Sequence, residues 1–586
     1  MYASEPESWL VELRRRSERS WNVVNGASSA LENHQQEVQP PLLLVTTWGD
    51  PRRGREVTYI LRGREYRSRT TLFPVLASLL DRPGGAGRVR ILIIVPDTLA
   101  ADIDKCDEWR RVGGSWKCVE ACVRGFIEQY LKDFESEFAR ESAHKAYLEH
   151  IDKAVKGSDV VVCPGLGRFI LSRGGEKLEL VFEDSIELFA LCAYLSELSG
   201  ALRTLQEQLS RGGRLRLRIV LDTSYGVNYV PALTTLATFL AAEVLALWGV
   251  EIEELRLVNS DPVLPTIERA SINESVIGPP AVELSDVERV YASGVERLIE
   301  KPELIFGEEG VRSLVRGATS SWSKLARECL AKIELGLKAL SGAWHSLQHG
   351  YALALAYIAS SLGEGCRGEG RQLLRSLVGV YEEALRLALR STEVVGEEGA
   401  GGCTYKLPTA KILKQKALED AHLALKVLAG VENAIEKMHE HALVKQRSTI
   451  EEQGLAVKEL KEIYERLSGV MSRYVKHFYG NEIRGILVDL CAYAKATGSK
   501  PTEWVLWRKV REAAILGCKE QPRAREECEE AAEAVLEDRE PLRREPCTEP
   551  SSVFLRYRKG VKMAPNDRNF IAHLGLAYDL VELKCE

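Results

Sequence analysis

The chain has 586 residues, of which 45% are hydrophobic, and a chain of this size usually forms roughly two to four domains with separate cores. Its 79 basic and 85 acidic residues give a net charge of −6, which excludes a uniformly cationic protein, so contact with nucleic acid requires a local basic patch. No segment approaches the roughly 18 unbroken apolar residues of a membrane span, and the N-terminal segment lacks the apolar core of a signal peptide. We therefore expect a cytoplasmic protein with no membrane partner.

The thirteen cysteines indicate neither a zinc site nor a defined disulfide framework. None forms a Cys-x-x-Cys pair, and Cys118 and Cys122 have a helical spacing rather than that of zinc ligands. We interpret the cysteines as buried free thiols, with a disulfide among Cys518, Cys528 and Cys547 left open for a hyperthermophilic source. The sequence thus predicts no metal ligand.

The N-terminal part of the chain has the pattern of an α/β domain. Residues 1–40 are polar and irregular and are interpreted as an appendage. From residue 41 onward, short apolar runs alternate with longer helical periods, which is typical of parallel βαβ units. Residues 41–262 are therefore predicted to form a doubly wound, Rossmann-like α/β domain. The predicted strands are 42–46, 89–95, 159–162, 215–221 and 255–258, the helices lie around 72–80, 118–148, 185–205 and 229–247, and a polar hairpin covers 56–61 and 65–68.

The strand pattern stops after residue 262. Residues 263–310 are rich in turn formers and are interpreted as a linker. Helical periods follow at 311–362, 371–394, 407–467 and 481–496, with glycine-rich breaks between them. Residues 311–586 are therefore predicted to be an all-α region.

Polar residues follow most of the predicted strands directly. Ligands of an open parallel sheet lie beyond the carboxyl ends of its strands, so these residues are candidates for a binding site. Their hydroxyl, amide and backbone N–H groups can bind phosphate oxygens and their aromatic rings can stack on bases, which favours a nucleotide-type ligand. Taken singly, each residue is explained as well by a helix cap or a turn. The candidates are Trp48, Gly49, Asp50, Ser68, Thr70, Thr71, Asp97, Thr98, Asp222, Ser224, Tyr225, Gly226, Asn228 and Tyr229.

The motifs of this domain follow one another in a characteristic order. They are Trp48-Gly49-Asp50-Pro51, Val57-x-Tyr59, Gly63, Ser68-Arg69-Thr70-Thr71-Leu72, Asp97-Thr98-Leu99 and the segment 222–231. This series resembles the CARF-HEPN ribonucleases of type III CRISPR systems, whose CARF domain is a Rossmann-like sensor of cyclic oligoadenylates. The resemblance implies an activator such as cyclic tetra-adenylate, no required cofactor, and ligand contacts at Ser68, Thr70, Asp97, Ser224, Gly226 and Asn228. The chain departs from the family at Ser224-Tyr225, where Thr-His is common.

A short polar motif near the C-terminus, Arg568-Asn569-x-x-x-His573, has the residue types that RNA cleavage without a metal requires. Histidine moves protons near neutral pH, and arginine stabilises a pentacoordinate phosphate. Asn569 and His573 are four residues apart and share one helix face. Such a pair also arises by chance on a solvated helix face. The motif resembles that of HEPN ribonucleases, and its position behind a CARF-like domain favours the catalytic interpretation.

The resemblance implies a homodimer, or a higher assembly of dimers, that binds a cyclic oligoadenylate and then cuts single-stranded RNA. Arg568, Asn569 and His573 would be the catalytic residues, and the product would carry a 2′,3′-cyclic phosphate. The alternative is a ligand-responsive regulator that binds nucleic acid without cutting it. A nucleotide-dependent metabolic enzyme is disfavoured, because Gly165-x-Gly167 lacks the third glycine of the dinucleotide fingerprint and follows the third strand.

Overall fold

The computed structural model describes residues 40–80, 88–103, 114–141, 151, 154–173, 176–211, 214–226, 229–263, 266–278, 295–317, 319–320, 373–399, 402–440, 450, 452–467, 475–536, 539, 545–558 and 581–586. The chain divides into two compact units. The first comprises residues 1–281, 301–320 and 375–425, and the second comprises residues 282–300, 321–374 and 426–586. Residues 1–39 of the predicted appendage lie outside the described residues.

The described residues form sixteen β-strands and twelve α-helices. The strands are β1 (Leu42–Thr47), β2 (Val57–Leu61), β3 (Arg64–Ser68), β4 (Val89–Pro96), β5 (Asp159–Cys163), β6 (Gly167–Arg173), β7 (Glu176–Phe182), β8 (Arg216–Asp222), β9 (Glu251–Ser260), β10 (Arg269–Ile277), β11 (Val395–Gly399), β12 (Gly402–Leu407), β13 (Leu455–Ala456), β14 (Val505–Leu506), β15 (Val553–Tyr557) and β16 (Val581–Cys585). The α-helices are α1 (Leu72–Leu80), α2 (Trp116–Glu141), α3 (Ile186–Thr204), α4 (Gln206–Arg211), α5 (Tyr229–Leu247), α6 (Val295–Glu300), α7 (Leu373–Arg390), α8 (Ala417–Glu440), α9 (Val457–Leu467), α10 (Val475–Thr497), α11 (Trp507–Glu520) and α12 (Pro522–Leu536).

An eight-stranded mixed sheet in the order β3-β2-β10-β9-β8-β1-β4-β5 forms the core of the first unit. Strands β9, β8, β1, β4 and β5 run parallel. All six residues of β1 are buried, as expected for a parallel strand covered by helices. Helices α3 and α5 pack against each other and against β1 and β4. The Rossmann-like α/β fold predicted for the N-terminal domain is therefore confirmed.

Helix α5 is notable for its apolar composition. Among the described helices it is long and apolar enough to cross a membrane, judged by length and composition alone. In this structure it contacts α3 and the strands β1, β4 and β9, and ten of its residues are buried. The apolar side chains of α5 therefore form part of the core of the first unit.

Several strands lie where the sequence predicts none. β6 and β7 fall within the predicted α/β domain at positions where no strand is expected, and β10 falls within the predicted linker at 263–310. β11 to β16 fall within the predicted all-α region, whose described residues are otherwise mainly helical, as expected. A second sheet of the first unit, in the order β11-β12-β7-β6, pairs β12 with the sequence-distant β7 in parallel. The prediction was wrong for these strands because short strands are stabilised by distant partners rather than by a local hydrophobic period.

The described part of the second unit consists mainly of helices. Helix α10 packs against α11 and α12, and Trp507 Nε1 of α11 donates to Asp489 Oδ2 of α10 at 2.9 Å. A small sheet in the order β13-β15-β16-β14 completes this part. There, Arg556 Nε of β15 donates to Glu582 Oε2 of β16 at 2.9 Å.

Most of the described cysteines are paired, which corrects the expectation of free thiols. The spacing of the cysteines in the sequence does not reveal these pairs, because the two cysteines of each pair lie 29 to 38 residues apart and come together only in the fold. Cys118 and Cys403 are free. The disulfides between two described cysteines include Cys163–Cys192, Cys491–Cys528 and Cys547–Cys585, and Cys122 is also disulfide-bonded.

Reduction should destabilise the second unit. Cys491–Cys528 joins α10 to α12, and Cys547–Cys585 anchors β16, with sequence separations of 37 and 38 residues. Cross-links that close loops of this length stabilise by about 3–4 kcal/mol each. We expect a reductant to lower the unfolding temperature of this unit by roughly 10 °C or more in calorimetry. A Cys118→Ser variant should show the same shift as the wild type, and an unfolding temperature that does not respond to reductant would contradict the pairing.

Candidate functional site

Asp222, the last residue of β8, holds three chain segments together at the carboxyl edge of the main sheet. Its Oδ2 accepts hydrogen bonds from Thr46 Oγ1 at 3.1 Å and Thr71 Oγ1 at 2.7 Å, and its Oδ1 accepts one from the backbone N–H of Ser224 at 3.1 Å. Burial raises the pKa of Asp222 although these donors act to lower it. Asp222 thus fixes the end of β1, the start of α1 and the loop after β8.

Asp97 has a similar role between β4 and the loop after β5. Its Oδ2 accepts from Trp116 Nε1 at 2.9 Å, and its Oδ1 accepts from the backbone N–H of Gly165 at 2.8 Å. Burial raises the pKa of Asp97 to about 7. A Cβ at Gly165 would lie 2.6 Å from Tyr229 Oη, and that hydroxyl accepts from the backbone N–H of Leu166 at 3.1 Å. The loop after β5 is therefore packed closely onto the first turn of α5.

Tyr225 joins the loop after β8 to the β2–β3 hairpin. Its hydroxyl donates to the backbone oxygen of Arg69 at 2.5 Å and lies 2.7 Å from Tyr59 Oη. Its backbone oxygen accepts from Thr47 Oγ1. The following residue, Gly226, has a φ of +132°, which glycine tolerates and other residues rarely adopt. This loop is therefore held by its tyrosine while the exposed Gly226 presents backbone to solvent.

Trp48 and Thr70, two almost fully buried residues at this edge, each carry a donor that lacks a hydrogen-bond acceptor within the described part of the chain. These donors are Trp48 Nε1 and Thr70 Oγ1, in residues that are each 1% exposed. A buried donor without an acceptor costs about 1–3 kcal/mol. The Thr70 backbone is held independently, because Ser68 Oγ donates to its carbonyl oxygen at 2.7 Å. Unpaired donors of this kind fit a ligand that is rich in acceptor oxygens, such as a phosphodiester.

The predicted ligand residues differ in their exposure at this edge. The Asp50 carboxylate bonds within its own loop. It accepts a hydrogen bond from the backbone N–H of Arg52 at 3.0 Å and forms an ion pair with the Arg52 guanidinium at 2.8 Å. The segment around Asn228 and the predicted catalytic residues Arg568, Asn569 and His573 lie outside the described residues. Partly or fully exposed are Gly49, Ser224, Tyr225, Gly226 and Tyr229, whereas Trp48, Ser68, Thr70, Thr71, Asp97, Thr98 and Asp222 are buried.

The residues that hold these predicted residues in place are not among the ligand candidates drawn from the sequence. Tyr59, Trp116 and Gly165 bond to them only because the fold brings distant segments together. Two of the three gave a signal in the sequence: Tyr59 stands in the Val57-x-Tyr59 motif, and Gly165 is a glycine shortly after a strand, a position that can mark a close backbone approach. Among the described residues, no group of three or more His, Cys, Asp and Glu side chains could hold a metal ion.

Asp184, just before α3, is a further buried carboxyl group that the sequence pattern missed. Neither of its oxygens has a hydrogen-bond partner in the described part of the chain. Burial raises the pKa of Asp184 to about 10, and the charges of Asp97 and Glu183 act in the same direction. The side chain is therefore a neutral acid at physiological pH.

An Asp184→Asn variant should become more stable than the wild type as the pH rises. The folded-state pKa of Asp184 lies above its ordinary value of 3.8, so the folded state holds the proton more tightly and the wild type loses stability between about pH 4 and pH 10. Asparagine stays neutral, so we expect little difference at pH 4 and a gain on the order of 1–3 kcal/mol at pH 8. Denaturant unfolding across this pH range measures the difference in stability, with Glu251→Gln as the control, because Glu251 is exposed and its charge does not act on Asp184. A difference that does not grow with pH would refute the assignment.

One comparison with known proteins bears on this domain. Residues 43–262 match the family model described as CRISPR system endoribonuclease Csx1, CARF domain. The match covers less than half of the chain and includes β1 to β9 with the carboxyl edge described above. No curated protein matches the chain. The chain therefore carries a CARF domain of a CRISPR-associated protein.

Proposed function

We propose that the CARF domain binds a cyclic oligoadenylate, with cyclic tetra-adenylate as the first expectation, and that the bound ligand activates RNA cleavage by the C-terminal part of the chain in type III CRISPR defence. The observation that carries this proposal is the match of residues 43–262 to the CARF domain of a CRISPR endoribonuclease. The carboxyl edge supports it, because its loops are held by buried contacts and offer unpaired donors to an oxygen-rich ligand.

The residues at this edge divide into two roles in the proposal. Ser224, Tyr225 and Gly226 are accessible and would contact the ligand, together with the unpaired donors of Trp48 and Thr70. Asp97 and Asp222 are buried and already bonded, so they would position the loops without touching the ligand. This assignment refines the list drawn from the sequence, which treats all of these residues as contacts.

A homodimer is the natural assembly for such a ligand. A cyclic tetra-adenylate has a repeating structure that suits a two-fold pocket formed by two copies of one domain. Its binding can shift the assembly only through a difference in affinity between the inactive and active states. We therefore propose that two CARF domains share one ligand, in a dimer or in an assembly of dimers.

The cleavage step needs no metal in this proposal. The RNA 2′-hydroxyl attacks the adjacent phosphorus, the bond to the 5′-oxygen of the next nucleotide breaks, and the products carry a 2′,3′-cyclic phosphate and a 5′-hydroxyl. His573 moves the proton that passes from the attacking to the leaving oxygen, Arg568 stabilises the phosphorane, and Asn569 orients one of them. The support for these roles is the Arg568-Asn569-x-x-x-His573 motif itself.

Titration with cyclic oligoadenylates of different ring size tests the first half of the proposal. Isothermal calorimetry on the full chain should show one ligand per two chains for the preferred ring. A linear oligoadenylate of equal length is the control and should bind more weakly, because it loses more conformational freedom on binding. Absence of binding by every ring size would refute the sensor function.

A further inference from the structure

Two arginines at the carboxyl edge have no counter-charge within the described part of the chain. Arg69 lies between the end of β3 and Thr70, and Arg55 lies in the loop before β2. Neither guanidinium forms a hydrogen bond or an ion pair with another described residue. Their positive charges are therefore available to a ligand.

The neighbouring arginines Arg52, Arg53 and Arg67 form ion pairs with carboxylates. Arg52 pairs with Asp50 at 2.8 Å, and Arg53 pairs with Asp102 at 2.7 Å. A third, Arg67, forms an ion pair with a glutamate across the hairpin. Arg55 and Arg69 therefore differ from the described arginines beside them, because no described carboxylate pairs with either guanidinium.

The backbone of Arg69 is fixed beside the loop that follows β8. Its carbonyl oxygen accepts from Tyr225 Oη at 2.5 Å, and a Cβ on Gly54 would lie only 2.7 Å from the same oxygen. Gly54 directly precedes Arg55, so the two free arginines belong to segments that touch. The next residue along the chain, Thr70, carries the unpaired buried hydroxyl.

The charge balance of the edge makes these two arginines important. Asp50, Asp97 and Asp222 all lie there, and an oligoadenylate carries one negative charge on each phosphodiester. Burial raises the pKa of Asp97 and of Asp222, which reduces the repulsion without supplying an attraction. A guanidinium can bind two phosphate oxygens at once with a planar pair of N–H donors.

We propose that Arg69, assisted by Arg55, binds the phosphodiester groups of the ligand and provides the positive charge of the site. This inference rests on the proposed function of the CARF domain. It assigns the electrostatic part of recognition to side chains that follow β3 and precede β2. The loop after β8 would form the hydrogen bonds to the remaining groups of the ligand.

Binding of cyclic tetra-adenylate, or of whichever ring size binds the wild type best, to Arg69→Ala tests the inference. We expect the dissociation constant to rise about 10- to 100-fold and to depend less on salt concentration. The dissociation constant of Arg69→Lys should lie between those of the wild type and Arg69→Ala, because lysine keeps the charge but loses the paired donors. Arg55→Ala should lose less affinity than Arg69→Ala. Arg67→Ala is the matched control, since its guanidinium is already paired, and should bind within about 2-fold of the wild type.

The outcomes separate this inference from the proposed function. If the wild type binds a cyclic oligoadenylate and Arg69→Ala binds it equally well, the role of Arg69 is wrong while the sensor function stands. If the wild type binds no ring size, the sensor function is wrong and the inference is wrong with it. Thermal unfolding of Arg69→Ala should match the wild type within about 2 °C, because the guanidinium makes no contact that stabilises the described fold.

Discussion

Replacing His573 by alanine should reduce ligand-stimulated RNA cleavage by roughly 100- to 10,000-fold, the range that a general acid–base group contributes. In the proposed mechanism this variant loses the side chain that moves the proton, whereas the CARF domain is unchanged. Ligand affinity should therefore stay within about 2-fold of the wild type, since no described ligand residue is altered. Cleavage of a fluorescent single-stranded RNA, followed with and without cyclic oligoadenylate, measures the effect.

His477→Ala is the control for this variant. His477 also follows an arginine, Arg473, but the two are only four residues apart, which is shorter than the Arg568–His573 spacing of five. The His477→Ala variant should therefore keep the ligand-stimulated RNA cleavage of the wild type. If His573→Ala keeps the activity and His477→Ala loses it, the cleavage site has been assigned to the wrong histidine. If both variants cut RNA normally, a different part of the chain performs the chemistry.

The Asp222→Ala variant should lose both stability and ligand binding. The change removes the acceptor for Thr46, Thr71 and the backbone N–H of Ser224, leaving up to three donors at this edge without their partner. We expect a loss of about 3 kcal/mol in the free energy of unfolding. Ligand affinity should fall at least about 10-fold, because three segments of the site are no longer held in place.

Asp159→Ala is the matched control for this second variant. Asp159 begins β5 at the opposite edge of the sheet and pairs with Arg90 at 2.5 Å, and its side chain is 31% exposed. Its loss should cost no more than about 1 kcal/mol and leave ligand affinity unchanged. Normal ligand binding by folded Asp222→Ala would show that Asp222 does not organise the site.

Many elements of the CARF domain follow closely from local sequence patterns, although β6 and β7 do not. Helices α1 and α5 begin and end at the predicted residues, and Ser185 caps α3 as expected for a serine before an apolar helix. The β2–β3 hairpin also follows, since Gly63 has a φ of +75° in its turn. These features are predictable because they depend on periodicity and caps within one segment.

The same local patterns do not predict contacts between segments that are distant in the sequence. The pairing of β12 with β7 and of Cys491 with Cys528 depends on the whole fold. The hydrogen bonds of Asp97 and Asp222 to buried neighbours could not be predicted for the same reason, because a polar residue after a strand has the same pattern whether it faces a ligand or bonds to such neighbours. Arg69 belongs to the Ser68-Arg69-Thr70-Thr71-Leu72 motif, but the sequence does not show that its guanidinium is unpaired among the described residues while the arginines beside it bind carboxylates.

RNA cleavage by the full chain in EDTA, with and without the preferred cyclic oligoadenylate, tests the central claim most directly. We predict that the ligand stimulates cleavage by at least about 100-fold, that EDTA does not reduce it, and that the fragments end in a 2′,3′-cyclic phosphate. Ligand binding without any RNA cleavage would contradict the nuclease and identify a regulator that binds without cutting. Cleavage that proceeds equally well without the ligand would contradict control by the CARF domain.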